Sequence, residues 1–455
     1  MLEDTIAAIA TAYGEAAIAV IRVSGKNAPG IAAQVLKGRK APEYWESHRL
    51  YRAEVWDRNA GEKIDDVMAV MMREPGSYTG EDVVEIHCHG GLLVSQEVLR
   101  AVLRAGARMA EPGEFTKRAF LNGKQDLSQA EAVIDLIRAR GDAARRLALR
   151  RMEGQLNQRV QALQDDLTGI IAAMEAWIDF PEEVEVDEDW KEGLQEIKKA
   201  GETLLDGARG GRAAREGIRV VIVGSPNVGK SSLWNALIGE ERAIVTDIPG
   251  TTRDLIEEEV TVRGVPLRLV DTAGIRETVD LVERIGVDKA REMLRRGDLT
   301  IVVFDAAAGI NREDLIVIDL VRGMELLVVI NKTDLEQQVI DERQVLDYFS
   351  GEKIIWASVK EGRGIDEIKE AVLHKVLGGT GDENQWLISN ARQEDALERA
   401  VAGLGEAQAA LGEGLPLECA LVDLRETLEA LGEITGETVS EQVIERIFRD
   451  FCIGK

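Results

Sequence analysis

The sequence predicts a multidomain chain: an α+β N-terminal domain, an all-α helical domain, and an α/β domain inserted within the helical one. Three observations predict it. Residues 1–119 are strand-rich with turn punctuation, the apolar period becomes helical from Asp126, and strands alternate with helices over residues 216–377. That alternating region lies between two helical stretches, neither complete by itself. Insertion is the economical reading, with both stretches packing together. The expected boundaries are 1–119, 120–214, 215–378 and 379–455. At 455 residues the chain has room for about three domains.

Taken in order, residues 5–21 form an apolar run broken by Gly14 and Glu15. The run reads as two strands joined by a turn, and neither as a signal peptide nor as a membrane span. Turn clusters at 73–77 and 88–91 punctuate further strands, and a helix is expected over 95–105. Strand alternation sends His87 and His89 to one face and Cys88 to the other. With no further ligand pair in sight, structural histidines are favoured over a metal site. Ser128 and Glu131 have capping-box spacing, and Ala130, Val133, Ile134 and Ile137 recur on one helical face. Long helices run to about residue 210, interrupted at Asp179-Phe180-Pro181 and an acidic loop over 182–189. Gly210-Gly211 and the run 378–382 read as flexible joins. Beyond them Leu397, Val401 and Leu404 share a helix face. A last helix is expected from Ser440 to the chain end, with an apolar stripe of Val443, Ile444, Ile447, Phe448 and Phe451.

A net charge of −26 excludes a broad nucleic-acid-binding surface, so any RNA contact is local or shared with a partner. Arg138, Arg140, Arg145, Arg146, Arg150 and Arg151 form the dense basic cluster of this acidic chain. They are either a solvated helix face or a local RNA patch. Cys88, Cys419 and Cys452 have no metal-ligand spacing and leave an odd thiol, which points to a reduced, cytoplasmic setting. Cys452 falls at the edge of the last helix's stripe. It is either a small core residue or a thiol favoured by the nearby Lys455 cation.

Gly224-Ser225-Pro226-Asn227-Val228-Gly229-Lys230-Ser231-Ser232 follows the apolar run 218–223 and precedes a helical pattern. Strand, glycine loop and helix start come in the order a phosphate cradle requires: backbone N–H groups wrap a phosphate while the helix N-terminus faces it. Lys230 reaches the β/γ-phosphates and the Ser231 hydroxyl takes a magnesium position. Asp271-Thr272-Ala273-Gly274 ends another apolar run and supplies a carboxylate to the magnesium shell. Gly250-Thr251-Thr252-Arg253-Asp254, between the two, offers a hydroxyl for the metal. Asn331-Lys332-Thr333-Asp334 ends a third run, and the Asp334 carboxylate accepts two hydrogen bonds from a guanine edge that adenine cannot offer. Ala357-Ser358-Val359 fits the loop that closes over the base. This ordered set identifies an α/β P-loop GTPase domain. Many small GTPases follow Asp-x-x-Gly with a water-orienting glutamine. Ile275 stands there instead, so Glu283 becomes the in-chain candidate, against the alternative of a solvated carboxylate at a helix start.

These pieces resemble the MnmE (TrmE) tRNA modification GTPases over essentially the whole chain. The phosphate loop, Asp247-Ile248-Pro249-Gly250-Thr251-Thr252-Arg253-Asp254, Asp271-Thr272-Ala273-Gly274 and the closing Phe451-Cys452-Ile453-Gly454-Lys455 carry the likeness, with the block 112–122 outside the GTPase region. The resemblance implies a folate-binding N-terminal domain that forms a homodimer, and a partner, the FAD-containing MnmG (GidA). Together the two would install a carboxymethylaminomethyl or aminomethyl group at C5 of the tRNA wobble uridine. It implies GTP contacts from Asn227, Val228, Gly229, Lys230, Ser231, Ser232, Thr246, Asp247, Ile248, Pro249, Gly250, Thr251, Thr252, Asp271, Thr272, Ala273, Gly274, Asn331, Lys332, Thr333, Asp334 and Ser358. Mg²⁺ would be held by Ser231 and Thr252, and K⁺ by Asn227, Thr246, Ile248 and Thr251, where the cation replaces an arginine finger. Glu283 would position water beside Lys230. Arg22, Glu85, Lys124 and Lys455 match positions around a tetrahydrofolate derivative (5-formyl- or 5,10-methylene-), and Cys452 matches a functionally important cysteine. A regulatory GTPase of ribosome assembly would share the nucleotide motifs, but has no use for Arg22, Lys124 and a terminal Cys-Ile-Gly-Lys.

Overall fold

A computed structural model of the chain describes residues 4–58, 60–180, 189–239, 257–270, 291, 294–295, 297–377 and 386–455. The chain divides into two compact units. One comprises Met1–Ile134, Met152–Val160 and Glu429–Lys455, the other Asp135–Arg151 and Gln161–Leu428.

The first unit is built on strands β1 (Ile6–Ile9), β2 (Ile18–Ser24), β3 (Leu36–Gly38), β4 (Leu50–Asp57), β5 (Glu62–Met72), β6 (Val83–His89) and β7 (Arg108–Met109). They form one sheet in the order β3-β4-β5-β6-β2-β1-β7. The pairing is antiparallel throughout except β1 with β7. Helices Ala28–Val35 and Leu92–Arg104 cover one face, burying Ile31 and Val98 against Ile21, Val55, Ala69 and Ile86. Cys88 belongs to this core, and burial pushes its thiol up to about 11. Because strand side chains alternate, Arg22, Glu85 and His87 project from the opposite face, with Arg22 directly beside Glu85 in register.

Helix Leu127–Arg138 is capped by Asp126 rather than by the expected Ser128–Glu131 pair. Asp126 Oδ1 accepts from Gln129 N at 2.9 Å, and Gln129 Oε1 accepts from Asp126 N at 2.9 Å. Asp126 is the last residue outside the helix, so its short carboxylate, and not Ser128 two residues further in, meets an unpaired N–H of the first turn. Leu127, Ala130 and Ile134 then pack against Ile444, Phe448 and Phe451, while Ile137 stays exposed. The last helix is Glu441–Arg449 and stops short of the chain end. Val443 lies outside its buried stripe, and Cys452 is exposed beyond the helix. Past the helix the chain turns at Gly454. Its φ of 94° is left-handed, and a Cβ there would lie 2.4 Å from the Ile9 carbonyl oxygen. The tail is tied instead to helix Glu114–Leu121: Gly113 N donates to Cys452 O and Phe115 N to Lys455 O.

The second unit contains a six-stranded sheet, β13-β12-β11-β8-β10-β9. Its strands are β8 (Ile218–Val223), β9 (Glu257–Val262), β10 (Val265–Val270), β11 (Leu299–Asp305), β12 (Leu326–Asn331) and β13 (Ile354–Trp356). All pair in parallel except the β9–β10 hairpin. Both faces are covered, so β8, β11 and β12 are near-continuous apolar runs. Helices Lys230–Ile238 and Ile365–Leu377 pack on one face, Arg312–Leu320 and Glu342–Tyr348 on the other. Elsewhere in the unit, helix Asp189–Asp206 runs against Ala391–Gly412, where Leu397 and Leu404 are buried.

Two expectations change here. Gly210-Gly211 is not a flexible join: both lie buried in helix Ala208–Glu216. A Cβ on Gly211 would sit 1.9 Å from the Ile388 carbonyl oxygen, and one on Gly210 2.3 Å from Trp386 Nε1. The glycines are there for close approach. Arg151, read as part of a surface cluster, is fully buried. It donates to Asp135 Oδ2 at 2.7 Å and to Ser389 Oγ at 2.5 Å, while Arg215 Nε donates to Asp135 Oδ1 at 2.7 Å. Arg145 and Arg146 both pair with Asp142. The run 378–382 lies outside the described residues. Among the described residues no helix is long and apolar enough to cross a membrane.

Candidate functional site

In the second unit β8 delivers the chain to loop 224–229, which enters helix Lys230–Ile238. Asn227 adopts left-handed backbone (φ 63°), as does Gly229 (φ 101°). A Cβ on Gly229 would lie 2.3 Å from Asn331 Nδ2, so a glycine is required for β12 to close on the loop. Lys230 Nζ donates to the carbonyls of Gly224 at 2.8 Å and Ser225 at 2.7 Å, which holds its ammonium over the cradle. Ser231 and Ser232 are exposed on the first turn beside it. A phosphate arriving here meets an ammonium, loop N–H groups and a helix N-terminus together.

The other half of the site hangs from the end of β12. Asn331 is buried; its Nδ2 donates to Val228 O at 2.9 Å and its Oδ1 accepts from Val359 N at 3.1 Å. One side-chain amide thus joins the phosphate loop to the loop that carries Ser358. Lys332 Nζ pairs with Asp305 Oδ2 at 2.6 Å, and Thr333 N donates to Ala357 O at 3.2 Å. Asp334 Oδ1 accepts from the buried Ser358 hydroxyl at 2.8 Å. That bond, with help from Lys360 and Arg363, holds the Asp334 carboxyl below the usual carboxylate range. It is therefore an ionised, oriented acceptor, as a guanine edge requires. Thr246, Asp247, Ile248, Pro249, Gly250, Thr251, Thr252, Asp271, Thr272, Ala273, Gly274 and Glu283 lie outside the described residues.

The first unit gathers a second cluster. Arg22 Nε donates to Glu85 Oε1 at 2.8 Å and Arg22 Nη1 to Gly454 O at 3.2 Å. The guanidinium also lies 5.6 Å from the ring centres of both Tyr78 and Phe115. His87 Nε2 stands 3.6 Å from Glu85 Oε2. Lys455 follows Gly454; burial pushes its ammonium down, and Arg22 pushes it further. Arg22, Glu85 and Lys455 thus come together from strands and chain end. Lys124 does not join them: it is exposed and donates to Pro75 O at 3.0 Å. Two cations beside one carboxylate, walled by aromatic rings, suit a ligand with an acidic part and a flat hydrogen-bonding ring.

The family model described as "GTP-binding protein TrmE N-terminus" matches residues 5–124, and "MnmE helical domain" matches 127–452. The chain belongs to the MnmE family of tRNA modification GTPases. The "tRNA modification GTPase MnmE" of Desulforamulus reducens is 46% identical over 462 residues, covering 100% of both chains. That of Alkaliphilus oremlandii is 45% identical over 461 residues, again with 100% of both covered. The Bacillus cereus (strain ATCC 14579) relative is 46% identical over 457 residues, 99% of each. This MnmE-family chain is a GTP hydrolase.

Reading the sequence did not single out Asp305, Tyr78 or Phe115. Asp305 closes β11, the end of a parallel strand where ligand-facing residues gather, so position alone could have flagged it. Tyr78 lies in a turn-rich segment and Phe115 opens a helix; neither spacing announces a shared Arg22.

Proposed function

We propose that this MnmE-family GTPase uses GTP hydrolysis to drive modification of the tRNA wobble uridine at C5, acting in the cytoplasm as a homodimer with an FAD-dependent MnmG (GidA) partner. The observation that carries this reading is one chain holding both a guanine-selective phosphate cradle and the separate Arg22–Glu85–Lys455 cluster.

In the cradle, the Lys230 ammonium, steadied on the carbonyls of Gly224 and Ser225, turns a remaining N–H to the β/γ-phosphate oxygens, and Asp334 orients the base. Ser231 and Thr252 would hold magnesium, which supplies charge neutralisation at the phosphates when bound. The exposed first-turn position of Ser231, beside Lys230, fits that role. Asn227, Thr246, Ile248 and Thr251 would hold potassium, which supplies the charge of an arginine finger when bound. Left-handed Asn227 aims away from the core and suits a ligand role. Glu283 orients the attacking water as GTPase units pair. Arg22, Glu85, Lys124 and Lys455 would hold a tetrahydrofolate derivative, which supplies a one-carbon unit when bound. Arg22 and Lys455 offer cations to its carboxylates, and Glu85 an acceptor to its amino-pyrimidine edge. Lys124, resting on Pro75 O, has to reach over on binding.

Boundaries at 1–119, 120–214, 215–378 and 379–455 go with this reading, the GTPase domain being inserted in the helical one. The deciding experiment is nucleoside analysis of tRNA from a deletion strain carrying the wild-type chain, Arg22→Ala or Asp334→Asn. Loss of the C5 modification in the deletion and both variants is expected. Unmodified uridine in none of them overturns the reading.

A further inference from the structure

We propose that Asp314 is a positioning residue for GTP hydrolysis, acting through Ser225 to fix the carbonyl floor on which the Lys230 ammonium rests. Ser225 is the second residue of the phosphate loop and only 1% exposed, an unusual place for a hydroxyl without a task. Its Oγ donates to Asp314 Oδ1, a carboxylate that is itself 2% exposed. Asp314 sits in the first turn of helix Arg312–Leu320 and is held from its other side. Its Oδ2 accepts from Asn311 N at 3.0 Å, and its own N donates to Asn311 Oδ1 at 3.0 Å. This reciprocal cap fixes the carboxylate, and the helix N-terminus favours its negative charge.

Residue 225 is therefore clamped twice. Its side chain is held by Asp314, and its carbonyl accepts from Lys230 Nζ at 2.7 Å. A hydroxyl given to a buried carboxylate makes a stronger bond than a neutral pair, and its removal leaves that oxygen unpaired. The consequence falls on Lys230. Charge on the transferring phosphoryl group is stabilised best by a cation that need not reorganise. An anchored carbonyl at 225 keeps the ammonium within a short, reproducible reach of the phosphates; a loose loop lets it wander.

The test uses the full-length chain under standard turnover conditions, with GDP affinity and thermal midpoint measured alongside. Ser225→Ala leaves the Asn311–Asp314 cap intact. It should lower kcat about tenfold while KM and GDP affinity move less than about threefold. Ser225→Thr keeps the hydroxyl and should restore kcat to within about twofold of wild type. Asp314→Asn, close in volume, should also lower kcat, and adding it to Ser225→Ala should cost little more, because both remove one interaction. Wild-type kcat in Ser225→Ala, or losses that simply add in the double variant, overturns the proposal. A fall in thermal midpoint with kcat preserved also overturns it, since that is the signature of packing alone. If Asp314→Asn does not fold, the contrast between Ala and Thr at 225 decides.

Discussion

In the proposed reading of the site, the base preference rests on one oriented carboxylate, Asp334. Asp334→Asn replaces an acceptor with a donor and should lose GTP affinity while gaining xanthosine triphosphate affinity, read from competition binding; unchanged preference would remove Asp334 from base recognition. Ser358 gives this a pH sign. Its hydroxyl holds the Asp334 carboxyl below the usual range, so the ionised form and its contribution persist above that depressed value and disappear as pH falls through it. Ser358→Ala lets the carboxyl rise back toward the ordinary aspartate value, so GTP binding should fail at a higher pH than in wild type, followed by titration between about pH 2.5 and 5. Cys452 belongs to the same scale. It is exposed beyond the last helix, with its carbonyl held by Gly113 N, so Cys452→Ser should fold normally. Turnover of GTP should be unchanged and wobble-uridine modification lost; normal modification would leave the thiol without a role.

Among elements, helix Ala208–Glu216 is the instructive one. By intrinsic propensity Gly211→Ala should stabilise it by about 1 kcal/mol. The site says otherwise. The added methyl would lie 1.9 Å from the Ile388 carbonyl oxygen, and neighbouring Ser389 is held by Arg151. Overpacking of this kind costs about 1–3 kcal/mol, and the backbone target cannot rotate away, so the clash should win. A thermal midpoint lowered by several degrees is expected (about 4 °C per kcal/mol or less at this size), and an unchanged or raised midpoint would refute the tight contact. The sequence reads this glycine pair as a join because flexibility and close approach look alike in a single dipeptide. The start of helix Leu127–Arg138 misleads similarly: two capping pairs, Asp126–Gln129 and Ser128–Glu131, overlap in sequence, and only the last extended residue decides between them. By contrast β8, β11 and β12 are legible outright, since strands buried on both faces need unbroken apolar runs.

For the whole molecule, the proposed insertion of the GTPase domain makes hydrolysis a mechanical event. If paired GTPase domains close around potassium, their separation must change through the cycle. Spin labels on the two domains, read by pulsed dipolar spectroscopy, should give a shorter distance with a transition-state analogue in potassium than with GDP. Sodium at equal ionic strength should leave the distance long and turnover slow. Identical distributions and rates in both salts would remove the cation and the movement from the mechanism. Glu283→Ala should still shorten the distance while hydrolysing slowly, which separates pairing from chemistry.

The phosphate cradle, the proposed guanine-reading role of Asp334, the three kinds of domain and the family are legible from residue order, because each is written in stretches whose spacing reflects local backbone geometry. A loop that wraps a phosphate needs its glycines and lysine within a few residues, and that order survives without coordinates. Tertiary structure alone decided the rest. It brought Lys455 and Gly454 to Arg22 and Glu85 across the length of the chain, buried Arg151 on Asp135, and placed Asp314 under the phosphate loop. Such contacts depend on strand register and on which helix face meets which neighbour. These are settled by how apolar surfaces close over one another, and nothing in the spacing of the residues concerned records them.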